Sequence, residues 1–142
     1  MAIWSVEVEG LDALLRALGR FTGSAMPALS DASHTAAGVV LVRAQMLVPV
    51  KTGNLLVQLK RERHPLKRND TSTFSAVVIG KGAAYGVPVE LGHRLVRRRR
   101  KIGTVKARPF LRPAADESRA LVEDLLIDAM NRELDRLGGR NP

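Results

Sequence analysis

The chain contains no cysteine, which excludes disulfides, thiolate metal ligands and cysteine nucleophiles. Aromatic residues are scarce: one Trp, one Tyr and three Phe among 142 residues leave Leu, Val and Ala to build the core. No apolar run approaches the roughly 20 residues of a membrane-spanning helix, and no signal-peptide pattern is present. The expectation is a soluble protein with no membrane partner, acting where it is made. A phosphate-cradling loop is also missing, because Gly80-Lys81-Gly82 lacks the spacing and reads as a turn. His34, His64 and His93 are far apart without metal-ligand spacing, and Ser72, Ser75 and Ser118 sit in no nucleophile elbow. Glu90 and His93 are three residues apart, close enough to share a metal or a proton, but read more simply as surface or interface polar groups. These gaps argue against an enzyme: no catalytic residue, no metal site and no cofactor are expected.

A further absence is the most informative. From Arg94 through Arg112 there is no acid, while nine bases stand there: Arg94, Arg97, Arg98, Arg99, Arg100, Lys101, Lys106, Arg108 and Arg112. Unpaired charges are too costly to bury in such numbers, so this arm must face water, a partner subunit or a polyanion. The overall charge of +9 is unevenly distributed. Residues 51–112 hold sixteen bases against three acids, a balance of +13, whereas the two flanks hold seven bases against eleven acids, a balance of −4. A dipolar layout of this kind suits nucleic-acid contact and equally suits subunits stacked positive face to negative face.

Along the chain, Trp4, Val6 and Val8 alternate with polar residues and predict a half-buried strand. Leu11, Leu14, Leu15 and Leu18 predict a short helix that Gly19 can end. A second helix follows, capped by Ser24 or Ser30, with Pro27 tolerated in its first turn and Pro49 ending it. Its stripe of Leu29, Ala32, Ala36, Val39, Val40, Met46 and Leu47 is rich in small residues and predicts close packing on a sheet. After a turn at Gly53, Leu55, Val57 and Leu59 alternate as a strand, with a polar hairpin loop at 60–73. The partner strand, Phe74–Ile79, is apolar on both faces and reads as central. Residues 83–91 allow one or two helical turns around Pro88, and Gly103 reads as the turn of the basic arm. Beyond Pro113, Leu121, Val122, Leu125, Leu126, Ala129, Met130, Leu134 and Leu137 trace a helix of about six turns. Asp116, Glu117 and Glu123 near its start and Arg132 and Arg136 near its end suit the helix dipole, and Gly138-Gly139 stops it.

The expected fold is α+β: a small antiparallel sheet with helices packed on one face, a long C-terminal helix and an extended basic loop. One domain spans 1–142, with the core fold at 1–137, the basic arm at 94–106 and a short tail at 138–142. The arm has three readings. It binds phosphate backbones without reading sequence, although no aromatic side chain lies among its bases for stacking and no DNA-reading motif surrounds it. Alternatively it is ordered against a neighbouring subunit, or it is a solvated loop.

Three blocks carry a resemblance: Pro-Val-Lys-Thr-Gly-Asn-Leu at 49–55, Ala-Tyr-Gly-Val-Pro-Val-Glu-Leu-Gly-His at 84–93, and Ala-Arg-Pro-Phe-Leu-Arg-Pro-Ala at 107–114. In order and spacing they resemble the tailed-phage neck and tail-component family, the head–tail joining proteins of siphophages and related prophages. Members carry P-x-x-T-G-x-L after a long helix, then Y-A-x-x-V-E-x-G-T, then R-P-F-L-x-P-A before a final helix. Gly86 stands here where the family often has Ala, and His93 where it has Thr. The resemblance implies a structural virion protein, assembled in the host cytoplasm, that forms a homo-oligomeric ring (hexamer or dodecamer) in the neck. Its partners would be the adjacent connector and tail proteins, with non-specific contact to genomic DNA. Arg94, Arg97, Arg98, Arg99, Arg100, Lys101, Lys106 and Arg108 would face a subunit interface or a DNA channel, and Tyr85, Glu90, Pro109, Phe110 and Pro113 would anchor the loop. The alternative function is a free-standing, sequence-nonspecific nucleic-acid-binding protein that uses the basic arm.

Overall fold

The computed structural model describes residues 11–67, 70 and 72–138. The strand expected at Trp4, Val6 and Val8 lies outside the described residues, as do Gly139 and the side chains of Leu11, Leu14, Leu15 and Leu18. The fold is α+β, with two small antiparallel sheets, helices packed against them and a long C-terminal helix.

Helix α1 runs unbroken over Leu11–Leu47, where the sequence predicts two helices. Gly19 permits a helix end but does not impose one. Pro27 lies inside α1 rather than in its first turn, and it removes only the bond to the Gly23 carbonyl, at an exposed position where water can replace it. Tertiary packing supports the helix through Pro27, because α1 lies antiparallel against α4 (Leu111–Gly138) for much of its length, whereas Gly19 is exposed and a Cβ on it would meet nothing within 4 Å. Arg43 pairs with Glu117 at one end, and Ala28 and Ala32 face Ala129 and Glu133 across a shared cavity toward the other. Ala25, Ala36, Ala37 and Ala44 of α1 are buried, and this small-residue surface lets neighbouring backbone approach closely.

Asn54–Gln58 is a helical turn, α2, and not the start of a strand. The core accepts Leu55 and Leu59, 4% and 3% exposed, and leaves Val57 at 71%. That four-residue spacing belongs to a helix turn, which defeats the apparent alternation. Strand β1 (Leu59–Arg63) then pairs antiparallel with β2 (Ser75–Ile79), from Leu59 opposite Ile79 to Arg63 opposite Ser75. β2 is not central, because its sheet has two strands among the described residues; all five of its residues are half-buried, with the hairpin laid on α1.

After a 3-10 turn at Lys81–Ala83 comes α3 (Gly86–Leu91), the short helix expected there. Gly86 is buried, and a Cβ on it would meet Leu55 Cδ1 at 2.6 Å and Ile79 Cδ1 at 3.0 Å, so this backbone packs directly on its neighbours. The basic arm is a second hairpin and not an extended loop: β3 (His93–Arg97) pairs with β4 (Arg100–Val105). Its turn is Arg98-Arg99, and Gly103 sits within β4 opposite Leu95. Four apolar residues, Leu95, Val96, Ile102 and Val105, favour the paired strands. α4 begins at Leu111, before Pro113, and runs about eight turns. Its inner face carries Val122, Leu125, Leu126 and Ala129, whereas Leu121 and Leu134 turn outward to solvent. Ala44, Val48, Leu55, Leu59, Ala83, Phe110 and Ala114 form the most buried cluster, where the end of α1, α2 and the start of α4 meet.

Candidate functional site

The basic hairpin is mounted on the core by one carboxylate. An α-helix begins with free amide groups that have no partner inside the helix. In α4 these fall at Phe110, Leu111, Arg112 and Pro113, of which Pro113 has no amide proton. Glu90, reaching across from α3, accepts the other three: Oε2 from Phe110 N at 2.6 Å and Leu111 N at 3.0 Å, and Oε1 from Arg112 N at 3.0 Å. The next amide, Ala114 N, donates to the Phe110 carbonyl at 3.3 Å and starts the helix proper. α4 has no acid in its own first turn, and Glu90 supplies the negative charge that the helix dipole favours there. Burial works to raise the Glu90 pKa, and the three amide hydrogen bonds together outweigh it, so the carboxyl titrates below its ordinary 4.5. Phe110, completely buried, fills the core beside this clasp, and Arg108 N donates to the Val89 carbonyl at 2.8 Å. Gly92 completes the mount with φ of 72°. A Cβ there would stand 2.8 Å from both Val105 O and Ala107 N, so only glycine lets the chain leave α3 this close to the returning strand.

Above the clasp lies a cleft of about 510 Å³ with a largely apolar floor that includes Leu55, Leu56, Pro88 and Val89. Lys51, Lys106 and Arg108 stand exposed around it, with His93. All three sequence blocks meet here: 49–55 contributes Pro49 and Lys51 through Leu55, 84–93 contributes Tyr85, Pro88, Val89 and His93, and 107–114 contributes Arg108. Asn54 braces the rim, its Nδ2 donating to the Gly82 carbonyl at 2.9 Å and lying 3.5 Å from the Tyr85 hydroxyl.

From this base the hairpin projects. Every residue of β3 and β4 is exposed except Gly103, which is half-buried beneath Leu95. Among the described residues, none of its cations forms a salt bridge. At the tip Arg98 and Arg99 both have positive φ, 47° and 64°, the signature of a type I′ turn that usually takes Asn-Gly. Arginine in this backbone region costs about 1–2 kcal/mol per residue relative to its ordinary conformation. The turn thus holds two charges where glycine would fit better. The strands are not purely basic either: Val96 and Ile102 are 61% and 62% exposed, and Leu95 and Val105 each 40%. Pairing shifts register between Leu95 and Val96, leaving Ile102 as the extra residue of a bulge, a feature that bends and twists such ribbons.

The structure thus gathers most of the sequence-predicted residues into one region. Tyr85, Glu90, Phe110, Lys106 and Arg108 converge on the clasp and cleft, Pro113 lies in the first turn of α4 and Pro109 is exposed just before it. Arg94 and Arg97 to Lys101 lie along the hairpin and its tip. Both Glu90 oxygens accept from the start of α4, while His93 stands at the cleft. Sequence reasoning did not name Lys51, Thr52, Leu56 and Val105 as site residues; membership of the first block signalled Lys51 and Thr52, and no sequence signal marked Leu56 or Val105. Among the described residues no group of three or more His, Asp or Glu is placed to hold a metal, and no helix is long and apolar enough to cross a membrane. No protein-family model, curated protein or solved structure matches the chain.

Proposed function

We propose that this chain is a structural protein of a tailed-phage neck, a ring-forming subunit that joins the head's portal or connector to the tail, or completes the tail. The observation that carries this reading is the convergence of three separated sequence blocks on one cleft, two of them locked together by Glu90, with an uncovered hairpin held out from that base. A ring needs head-to-tail contacts between different surfaces of identical subunits. A rigidly mounted projection that none of the described residues covers is suited to that. The proposed location is the virion, after assembly in the host cytoplasm, with connector and tail proteins as neighbours and genomic DNA passing through the ring.

The experiment is genetic. In a phage or prophage that carries this gene, an amber mutation should give DNA-filled heads and separate tails that fail to join, with joining restored by the intact gene. Normal joined particles from the amber mutant would overturn the reading. The rival, a free-standing nucleic-acid-binding protein, draws on the five consecutive cations Arg97 to Lys101. It requires a monomer that binds duplex DNA tightly at moderate salt, with affinity falling steeply as salt rises.

A further inference from the structure

The hairpin carries two kinds of exposed side chain, and a DNA backbone satisfies only one of them. Phosphates pair with Arg94 and Arg97 to Lys101, but they offer nothing to Leu95, Val96, Ile102 and Val105, whose exposure costs free energy until apolar surface covers them. The fitting partner is a protein surface on which carboxylates alternate with apolar side chains. Such a surface exists on this same chain. At 100° per residue, Asp116, Leu121, Asp124, Ile127, Asp128 and Asp135 of α4 fall within about 140° of arc on its exposed side, which also holds Glu117, already paired with Arg43 of α1. All six are exposed, and the four aspartates form no salt bridge among the described residues. No Lys or Arg lies within that arc; Arg132, at its margin, folds back to donate to the Asp128 carbonyl at 3.2 Å.

The two surfaces do not cover one another within a single chain, since both are exposed. We propose that the β3–β4 hairpin of one copy docks along the outer face of α4 of a second copy, its arginines meeting the aspartates and its apolar residues covering Leu121 and Ile127. The face is long enough: 28 residues of helix extend about 42 Å, against about 20 Å for a six-residue strand. The contact joins different surfaces of identical chains, so it is heterologous and propagates from copy to copy until it closes. The inference rests on the ring reading and names the pair of surfaces that would build the ring. It also explains why residues 51–112 carry +13 while the flanks carry −4.

The test is a charge swap in the full chain, read by sedimentation velocity at low and high salt. One variant carries Arg97→Glu, Arg98→Glu and Arg100→Glu; the other carries Asp124→Lys, Asp128→Lys and Asp135→Lys. The unmodified protein should self-associate, less so at high salt, and each variant alone should associate at least about a hundredfold more weakly. An equimolar mixture should recover assembly, because alternating copies match acid to base at every contact. Circular dichroism confirms that each variant is folded. A monomeric unmodified protein, assembly indifferent to either set of reversals, or a mixture that stays dissociated overturns the proposal. So does a hairpin that binds duplex DNA in place of a second copy at moderate salt. Assembly untouched by the reversals would discard the docking surfaces and leave the neck reading standing. Joined particles from the amber mutant would discard the neck reading and leave the docking to its own test.

Discussion

Two antiparallel hairpins with strands of nearly equal length are built into this molecule, both rich in bases, and their surroundings differ completely. The β1–β2 hairpin lies on α1. Leu59 is buried beneath it, Ser33 Oγ donates to Ser75 Oγ at 2.8 Å, Arg63 meets Asp31 at 2.7 Å and Arg61 donates to the His34 carbonyl at 3.2 Å. Arg61 also lies directly over Gly38, where a Cβ would stand 2.7 Å from its Nη1. Both arginines of the first hairpin's strands are thus answered inside the chain. Those of the β3–β4 hairpin are not answered among the described residues, and its apolar residues stay in solvent with them. Clustered bases in a sequence therefore do not by themselves mark a binding surface; what marks it is a base with no internal partner on a rigid mount.

The largest expected effect breaks what the two hairpins share. Phe110 is completely buried in the cluster that holds Leu59 from the first hairpin and anchors the base of the second. Phe110→Ala should lower unfolding free energy by about 3–5 kcal/mol in denaturant titration. A cost below about 1 kcal/mol would show that this cluster does not hold the fold.

Next in size is the mount of the second hairpin alone. Glu90→Ala leaves three helix-start amides without their acceptor and should cost about 1–2 kcal/mol at neutral pH. The folded pKa of Glu90 is depressed, so its contribution is complete above the ordinary 4.5 and disappears as pH falls through the lower folded value. Melting curves for parent and variant should accordingly converge in acid. A gap that stays constant to pH 3 would mean that the carboxylate is not the clasp.

Much of this comparison was readable from sequence, though not the part that distinguishes the hairpins. Local pattern sufficed for α4, for the helical turns around Pro88 and for the strand at Ser75–Ile79, but it put that strand's partner at 55–59 and a loop at 60–73, whereas the partner is Leu59–Arg63. It failed where tertiary packing outranked local preference. α1 passes through Pro27, with α4 alongside at Ala28 and Ala32, and Leu55 and Leu59 mimic alternation while occupying one side of a helical turn. Gly103 looked like the natural turn of the arm, but the chain reverses at two arginines instead. Glu90 was legible as an anchor, yet the identity of its partners depends on a helix start twenty residues away, which spacing alone does not reveal.

A smaller effect sharpens the first half of the comparison. Replacing Arg61 and Arg63 with Ser removes partly exposed contacts to His34 O and Asp31 and should cost up to about 1 kcal/mol in thermal unfolding. No measurable cost would mean that the first hairpin's bases are as idle within the chain as those of the second.

The smallest effect is expected on the second hairpin itself. Replacing Arg97 through Lys101 with Ser should leave the unfolding free energy of the isolated subunit within about 0.5 kcal/mol of the parent, because none of these side chains is buried or paired among the described residues. A projecting ribbon can open without disturbing the core, so its amides should exchange with solvent well before those of α4. Arg98→Asn with Arg99→Gly relieves the positive-φ turn and should slow exchange across β3 and β4 while global unfolding stays put. If that double substitution raised the melting temperature of the whole subunit, the hairpin would be part of the cooperative core, and its projection from the molecule would have to be abandoned.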